Sequence, residues 1–194
     1  MLIDRTQEPI FRLTIARSRQ SRCRGTELAD VHREVGRLLA RDVARHLPLE
    51  EIEIDHVVGK SIDVRIPLGR APVVVAMLRS GLFIGEGIRE ALHDASLVLA
   101  DSARSVDPSD LSQRVVVIAD AVINTGASMR RLLAMTEAAG PEKILVAALV
   151  GYRPTVASLV EAYPTVDFML GRISDRSYVG RGGTDTGTRL FGPA

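Results

Sequence analysis

Four short, almost unbroken apolar runs punctuate this chain, and each has the length of a strand buried on both faces. They are Pro72 to Leu78, Arg114 to Asp120, Ile144 to Val150 and Val166 to Leu170. Valine-rich runs of this kind belong in the middle of a parallel sheet, where helices cover both faces. Leu97 to Ala100 predicts one more short strand. Between the runs the period changes. Leu28, Val31, Val35, Leu38, Leu39, Val43 and Leu47 recur every three or four residues and form one helical face, with Thr26 placed as its N-cap and Pro48 as its stop. Ile84 to Leu92, Ser128 to Ala139 and Thr155 to Ala162 predict further helices, the second of them ended by Gly140-Pro141. Ile52 to Ile54 and Ile62 to Ile66 alternate instead and predict a hairpin near one edge. Asp101 to Gln113 is polar and predicts a loop, while Gly171 to Ala194 is glycine-rich and predicts irregular chain.

Strands alternating with helices predict βαβ units, hence an α/β fold with a parallel sheet flanked by helices. The length of 194 residues fits one domain with a substantial core. Hydrophobic residues make up 46% and charged residues 25%, as in a soluble globular protein. Twenty-five basic residues nearly cancel 24 acidic ones, leaving a net charge of +1. That balance calls for neither nucleic acid nor a membrane surface as partner. The basic run Arg12, Arg17, Arg19, Arg22 and Arg24 lacks the interleaved aromatics of a single-strand binder. No apolar run is long enough to cross a membrane, and the charged N-terminus predicts no signal peptide. Cys23, the single cysteine, rules out an internal disulfide and fits a reducing cytoplasm. His32, His46, His56 and His93 lack metal-ligand spacing and are expected on the surface or on helix faces.

Three segments carry candidate chemistry. Val115 to Ala119 leads into the lone acid Asp120 and then, through Asn124, Thr125, Gly126, Ala127 and Ser128, into a helix. Backbone N–H groups at a helix start face an anion, and ligands of open α/β sheets bind outside the carboxyl ends of the strands. A sugar phosphate suits this arrangement, with Asp120 accepting from sugar hydroxyls. At the end of another strand, Arg79-Ser80-Gly81 makes a tight turn in which a guanidinium and backbone N–H groups can clamp a pyrophosphate. The third segment is the C-terminal stretch with Tyr178, Val179, Leu190 and Phe191 as apolar anchors among glycines that permit close backbone approach. No Gly-Lys-Ser/Thr follows a glycine-rich turn, so a P-loop is excluded.

Together, Val115 to Ser128, Ala76 to Leu82, Tyr178-Val179 and Thr184 to Gly192 resemble, in order and location, the signature segments of type I phosphoribosyltransferases, and among them the uracil phosphoribosyltransferases. The resemblance runs from about Phe11 to Gly192. It implies a Rossmann-like type I phosphoribosyltransferase domain over 1–194, with an N-terminal arm and helix about 10–47, a core about 70–170 and a C-terminal hood about 171–194. It implies transfer of phosphoribosyl from phosphoribosyl pyrophosphate (PRPP) to uracil, giving UMP and pyrophosphate. Asp120 and Arg79 are the implied catalytic residues. PRPP would be held by Arg79, Ser80, Gly81, Asp120, Asn124, Thr125, Gly126, Ala127, Ser128 and Asp185, and the base by Tyr178, Val179 and Gly183. Mg²⁺ would be held mainly by PRPP, with no protein ligand set of its own. Arg17 matches a family arginine near the pyrophosphate. The family turn carries a non-proline cis peptide, expected here at Arg79–Ser80. A homodimer or higher homo-oligomer and a cytoplasmic location are also implied. Against the family pattern, the lid between Leu97 and Gln113 is short, Thr188 stands where a second acid is usual, and Arg181 replaces a proline. These differences keep two alternatives open: a transferase for a different base, and a non-catalytic sensor of PRPP or nucleotide.

Overall fold

The computed structural model describes residues 1–178 and 180–193, with only the backbone of residue 104. Six parallel strands form the main sheet in the order β1-β8-β7-β6-β4-β5. In chain order these are β1 (Leu2–Asp4), β4 (Val73–Met77), β5 (Ser96–Ala100), β6 (Val115–Ile123), β7 (Lys143–Tyr152) and β8 (Asp167–Ser174). The expected α/β class is therefore observed, and the apolar runs supply its central strands.

Alternation along the strands sorts the core into two layers. On one face Val73, Val75, Val116, Ile118, Val146 and Phe168 meet α4 (Ala127–Ala138) and α5 (Arg153–Ala162). On the other, Val74, Val117, Leu145, Ala147 and Met169 meet α1 (Pro9–Ser18), α2 (Gly25–Ala44) and α3 (Leu82–Ala91). Helices α2 and α3 cross at backbone contact. A Cβ on Gly36 would lie 2.3 Å from the Ile84 carbonyl oxygen, and one on Gly87 would lie 2.1 Å from that of Arg33. That crossing draws α2 up against the turn that precedes α3.

Several expectations need correction. Thr26 is not an N-cap: α2 starts a residue earlier at Gly25, after the extended Arg24, and no side chain caps it. The N-terminal stretch, read as a charged segment leading into an arm, supplies both edge strand β1 and helix α1, whose buried face is Phe11, Thr14, Ile15 and Ser18. The predicted hairpin exists as β2 (Glu50–His56) and β3 (Gly59–Arg65), but as a separate two-stranded sheet rather than at an edge of the main one. The 101–113 segment is a loop with two short 3-10 turns, anchored to the core by the buried Val106 and Leu111. Strand β6 continues three residues beyond Asp120, and β8 takes in Gly171 to Ser174. Beyond it, the C-terminal segment contains a 3-10 turn (Gly182–Thr184) and a short helix, α6 (Thr186–Phe191).

Candidate active site

Both predicted turns sit at the carboxyl ends of neighbouring strands, β4 and β6, where the topology brings them side by side. The first turn runs from Leu78 to Gly81. Gly81 touches backbone on two sides: a Cβ there would lie 2.3 Å from the Ala119 carbonyl oxygen and 2.7 Å from that of Met77. Its N–H donates to the Met77 carbonyl at 2.8 Å, which closes the turn. The non-proline cis peptide is Leu78–Arg79, one bond earlier than expected.

Ser80 faces Asp120 on β6. The Ser80 hydroxyl donates to Asp120 Oδ1 at 3.1 Å, and the Ala121 N–H donates to the same oxygen at 2.7 Å. Burial pushes the Asp120 pKa up to about 6, and these two donors with the Val122 backbone act against that rise. Near neutral pH the carboxylate is ionised but poorly solvated, and the Ser80 and Ala121 donors both go to Oδ1. Such a group gains from hydroxyl donors supplied by a ligand.

The second turn opens α4. Gly126, at φ 75°, is the helix N-cap in the left-handed region that favours glycine. Thr125, Ala127 and Ser128 are exposed around it, so the helix start is open to solvent, with the Ala127 N–H donating to the Thr125 hydroxyl at 3.4 Å. Asn124 faces the C-terminal segment instead: its Oδ1 accepts from the Tyr178 N–H at 3.3 Å, and its carbonyl accepts from the Thr155 hydroxyl at 2.6 Å.

That C-terminal segment lies over the site as a hood. Asp185 caps α6 by accepting from the Thr188 N–H at 2.8 Å, and it lies 3.9 Å from the Arg79 guanidinium. Arg189 donates to the carbonyls of Ser18, Gln20 and Cys23 at 2.7, 3.0 and 2.8 Å. Leu190 packs with Cys23, Leu28 and Val31, and Phe191 stacks on Phe83 at 5.4 Å between ring centroids. The Tyr178 hydroxyl donates to the Thr184 carbonyl. Tyr178, Gly183 and Asn124 line one cleft of about 500 Å³, whose floor includes Val122 and Val150. Val179, assigned to the base, lies outside the described residues.

Three separated sequence segments thus meet at one end of the sheet, with Arg79, Ser80, Gly81, Asp120, Asn124 to Ser128 and Asp185 around it. Arg17 is not among the residues lining the cleft; Arg19 and Arg24 are. His32 lies on a helix face, one of the two places expected for it, but on the buried side of α2. It is 2% exposed, lines the cleft beneath Ser80, and its Nδ1 has no partner among the described residues. Burial pushes its pKa down to about 4; the Ser80 backbone carbonyl acts against this, and the Arg189 charge adds to it. The imidazole is therefore neutral. Its position on the apolar face of α2, between Leu28 and Val35, was the available signal. Arg172, a partly buried cation on β8, also went unpredicted.

Among the described residues no group of three His, Cys, Asp or Glu side chains could hold a metal ion, and no helix is long and apolar enough to cross a membrane.

Comparison with known proteins gives the family and the fold. The sequence model of the uracil phosphoribosyltransferase family matches residues 5–193. The uracil phosphoribosyltransferase of Pediococcus pentosaceus is 29% identical, with 95% of each chain covered. That of Staphylococcus carnosus is 30% identical over 86% of this chain and 85% of its own. Among solved structures, the AQ2163 protein of Aquifex aeolicus superposes with a TM-score of 0.83 at 19% identity, covering 99% of this chain and 98% of its own.

Proposed function

The chain belongs to the uracil phosphoribosyltransferase family, and from that membership we propose that it transfers the phosphoribosyl group of PRPP to uracil, giving UMP and pyrophosphate, with 1–194 working as one phosphoribosyltransferase domain. The observation that carries this reading is the convergence of the two strand-end turns and the hood on one site, with Asp120 between them.

Each part has work to do. The N–H groups at the solvent-open start of α4, with Asn124, Thr125, Gly126, Ala127 and Ser128, receive the 5′-phosphate. Asp120 accepts from the ribose hydroxyls, whose donors offset the desolvation of its carboxylate. Arg79, Ser80 and Gly81 hold the pyrophosphate, with Asp185 orienting the Arg79 guanidinium from the hood. The base lies on Val122 and Val150 under Tyr178 and Gly183, with Val179 assigned to the same wall. In the reaction the C1–O bond breaks, its electron pair leaves with pyrophosphate, and C1 becomes oxocarbenium-like. Uracil N1 attacks the opposite face and its proton passes to solvent. Positioning and charge stabilisation carry such a step, with little side-chain proton transfer.

Phosphoribosyltransferases of this kind generally use Mg²⁺ with PRPP. The donors fit a substrate-held ion: Asp120 and Asp185 stand apart on different elements, each already engaged, and no third acid joins them among the described residues. Bound to PRPP and water, the ion would neutralise the departing pyrophosphate.

A homodimer or larger homo-oligomer belongs to this reading. Its support is the β2–β3 hairpin, where Val57, Val58, Ile62 and Val64 are all more than half exposed. A cytoplasmic setting follows from the substrate, since PRPP is made and used inside cells.

Pyrophosphate release from PRPP and Mg²⁺, measured with uracil and a panel of other bases, tests the proposal. Release with uracil is expected. Release only with a different base would move the protein to another reaction, and release with none, together with PRPP or nucleotide binding by calorimetry, would favour a sensor.

A further inference from the structure

The cleft under the hood is larger and more basic than a neutral pyrimidine requires. Arg19, Arg24, Arg172, Arg176 and Arg189 line it, and no Asp or Glu does among the described residues. Two of these cations are committed to backbone. Arg189 is bound to three carbonyls, and Arg24 donates to the Ser21 and Gly183 carbonyls at 3.1 and 3.4 Å. Arg19 and Arg172 have no such partner among the described residues.

The sheet register fixes where Arg172 stands. Val122 on β6 pairs with Val150 on β7, and Val150 pairs with Arg172 on β8. All three line the cleft, so they form one row across its floor: apolar, apolar, cationic. Adjacent strands are about 4.8 Å apart, which puts the Arg172 backbone about 10 Å from that of Val122. A flat ring lying on the two valines turns its far edge toward the guanidinium. Arg19, at the end of α1, closes the same corner. A second cavity behind it, of about 460 Å³, shares Ile15, Arg19 and Arg172 with the first, so both cations stand between two hollows.

This corner is electrostatically incomplete. Burial pushes the Arg172 pKa down, and the Arg19 charge pushes it further. Asp175 is the one acid acting against this, and its carboxylate is held by Arg153. Two like charges, one of them partly desolvated, gain from an oxyanion that accepts from both. We infer that Arg19 and Arg172 form an oxyanion subsite at the far end of the base cleft, taking a carboxylate or phosphate group carried by the ligand on Val122 and Val150 or bound beside it. The inference rests on the reading of this cleft as the base site.

Calorimetric titration of the full chain tests it, with uracil, uracil-5-carboxylate, uracil-6-carboxylate and inorganic phosphate as probes. The proteins are the wild type, Arg172→Gln and Arg19→Gln. The expected result is an oxyanion probe whose preference over plain uracil falls about ten-fold or more in both variants. Loss of preference for a carboxylated uracil alone assigns the anion to the base; loss for inorganic phosphate assigns it to a separate small ion. Oxyanion affinities that are equal in all three proteins, or absent from the wild type, overturn the subsite. Should Arg172→Gln fail to fold, Arg19→Gln carries the same comparison from an exposed position. Pyrophosphate release separates the two readings. Turnover of uracil with no arginine-dependent anion binding removes the subsite and keeps the transferase. Arginine-dependent binding with no release for any base removes the transferase and keeps the subsite.

Discussion

Replacing Asp120 by asparagine should make the protein more stable and less active at the same time. Burial raises the carboxyl pKa from 3.8 to about 6. An acid whose pKa is higher in the folded state stabilises the fold fully below its unfolded value, and that contribution is lost as pH rises through the folded one. Above pH 6 the wild type therefore carries a charge whose burial costs at most ~3 kcal/mol, at about 1.4 kcal/mol for each tenfold change in the protonation equilibrium. Asparagine is isosteric and never charges. Its Oδ1 keeps both the Ser80 and Ala121 donors. Its new Nδ2 needs an acceptor, so the net gain should be about 1–3 kcal/mol, a rise in melting temperature on the order of 5 °C for a chain of this length. The gain should grow between about pH 4 and 6, level off above, and vanish at lower pH, where the wild type is also neutral. Turnover should fall strongly, because the ribose hydroxyls lose their charged acceptor, and wild-type kcat/KM should rise with pH through about 6. Thermal melts of both proteins from pH 4 to 8, beside pyrophosphate release, make the measurement. A variant less stable than the wild type at pH 8, or a stability difference flat across pH, would refute the desolvated-carboxylate argument. Full activity in the variant would refute the ribose role.

Other perturbations reach different parts of the site. Arg79→Ala should weaken PRPP binding about ten-fold or more with the fold intact, since the guanidinium is nearly half exposed; unchanged affinity by calorimetry would remove it from the clamp. Gly81→Ala pushes a methyl group into the Ala119 and Met77 carbonyl oxygens, so the turn must open. PRPP affinity should collapse, with several kcal/mol of stability lost in urea titration. Arg189→Ala strands three carbonyls and releases α6, at a cost on the order of 3 kcal/mol, read as a lower urea midpoint. Ile62→Lys, at a 64% exposed position on the hairpin, should leave the monomer folded but reduce the species seen by light scattering to a single chain.

The sequence was most legible where local pattern and tertiary role coincide. Strands β4, β6, β7 and β8 are buried on both faces, so their apolar runs announce them without reference to anything distant, and the turns that follow inherit their position from the strand ends. Legibility ends where a feature is defined by partners far away in the chain. Strand β1 has three residues and one neighbour, β8, too little pattern to register. Helix α1 buries Phe11, Thr14, Ile15 and Ser18, but two of those four are hydroxyl side chains and the exposed face carries Ile10 and Leu13 beside Arg12 and Arg17, so apolar residues single out no one face. Helix α6 is six residues long and contains a glycine, and by propensity alone it should not form. The Asp185 cap, the Arg189 contacts with the chain before α2 and the Phe191 stack on Phe83 hold it. His32 follows the same rule. Its place on the helix face was readable, but its neutral state comes from burial by chain far away in the sequence and from the Arg189 charge, 157 residues on, which together outweigh the Ser80 carbonyl. Arg172 is the sharpest case. Its meaning comes from a register across three strands, from the commitment of Arg153 to Asp175, and from the absence of any acid lining the cleft among the described residues. What His32 and Arg172 do is thus written in contacts between elements, while the resemblance to the family was legible in short contiguous segments.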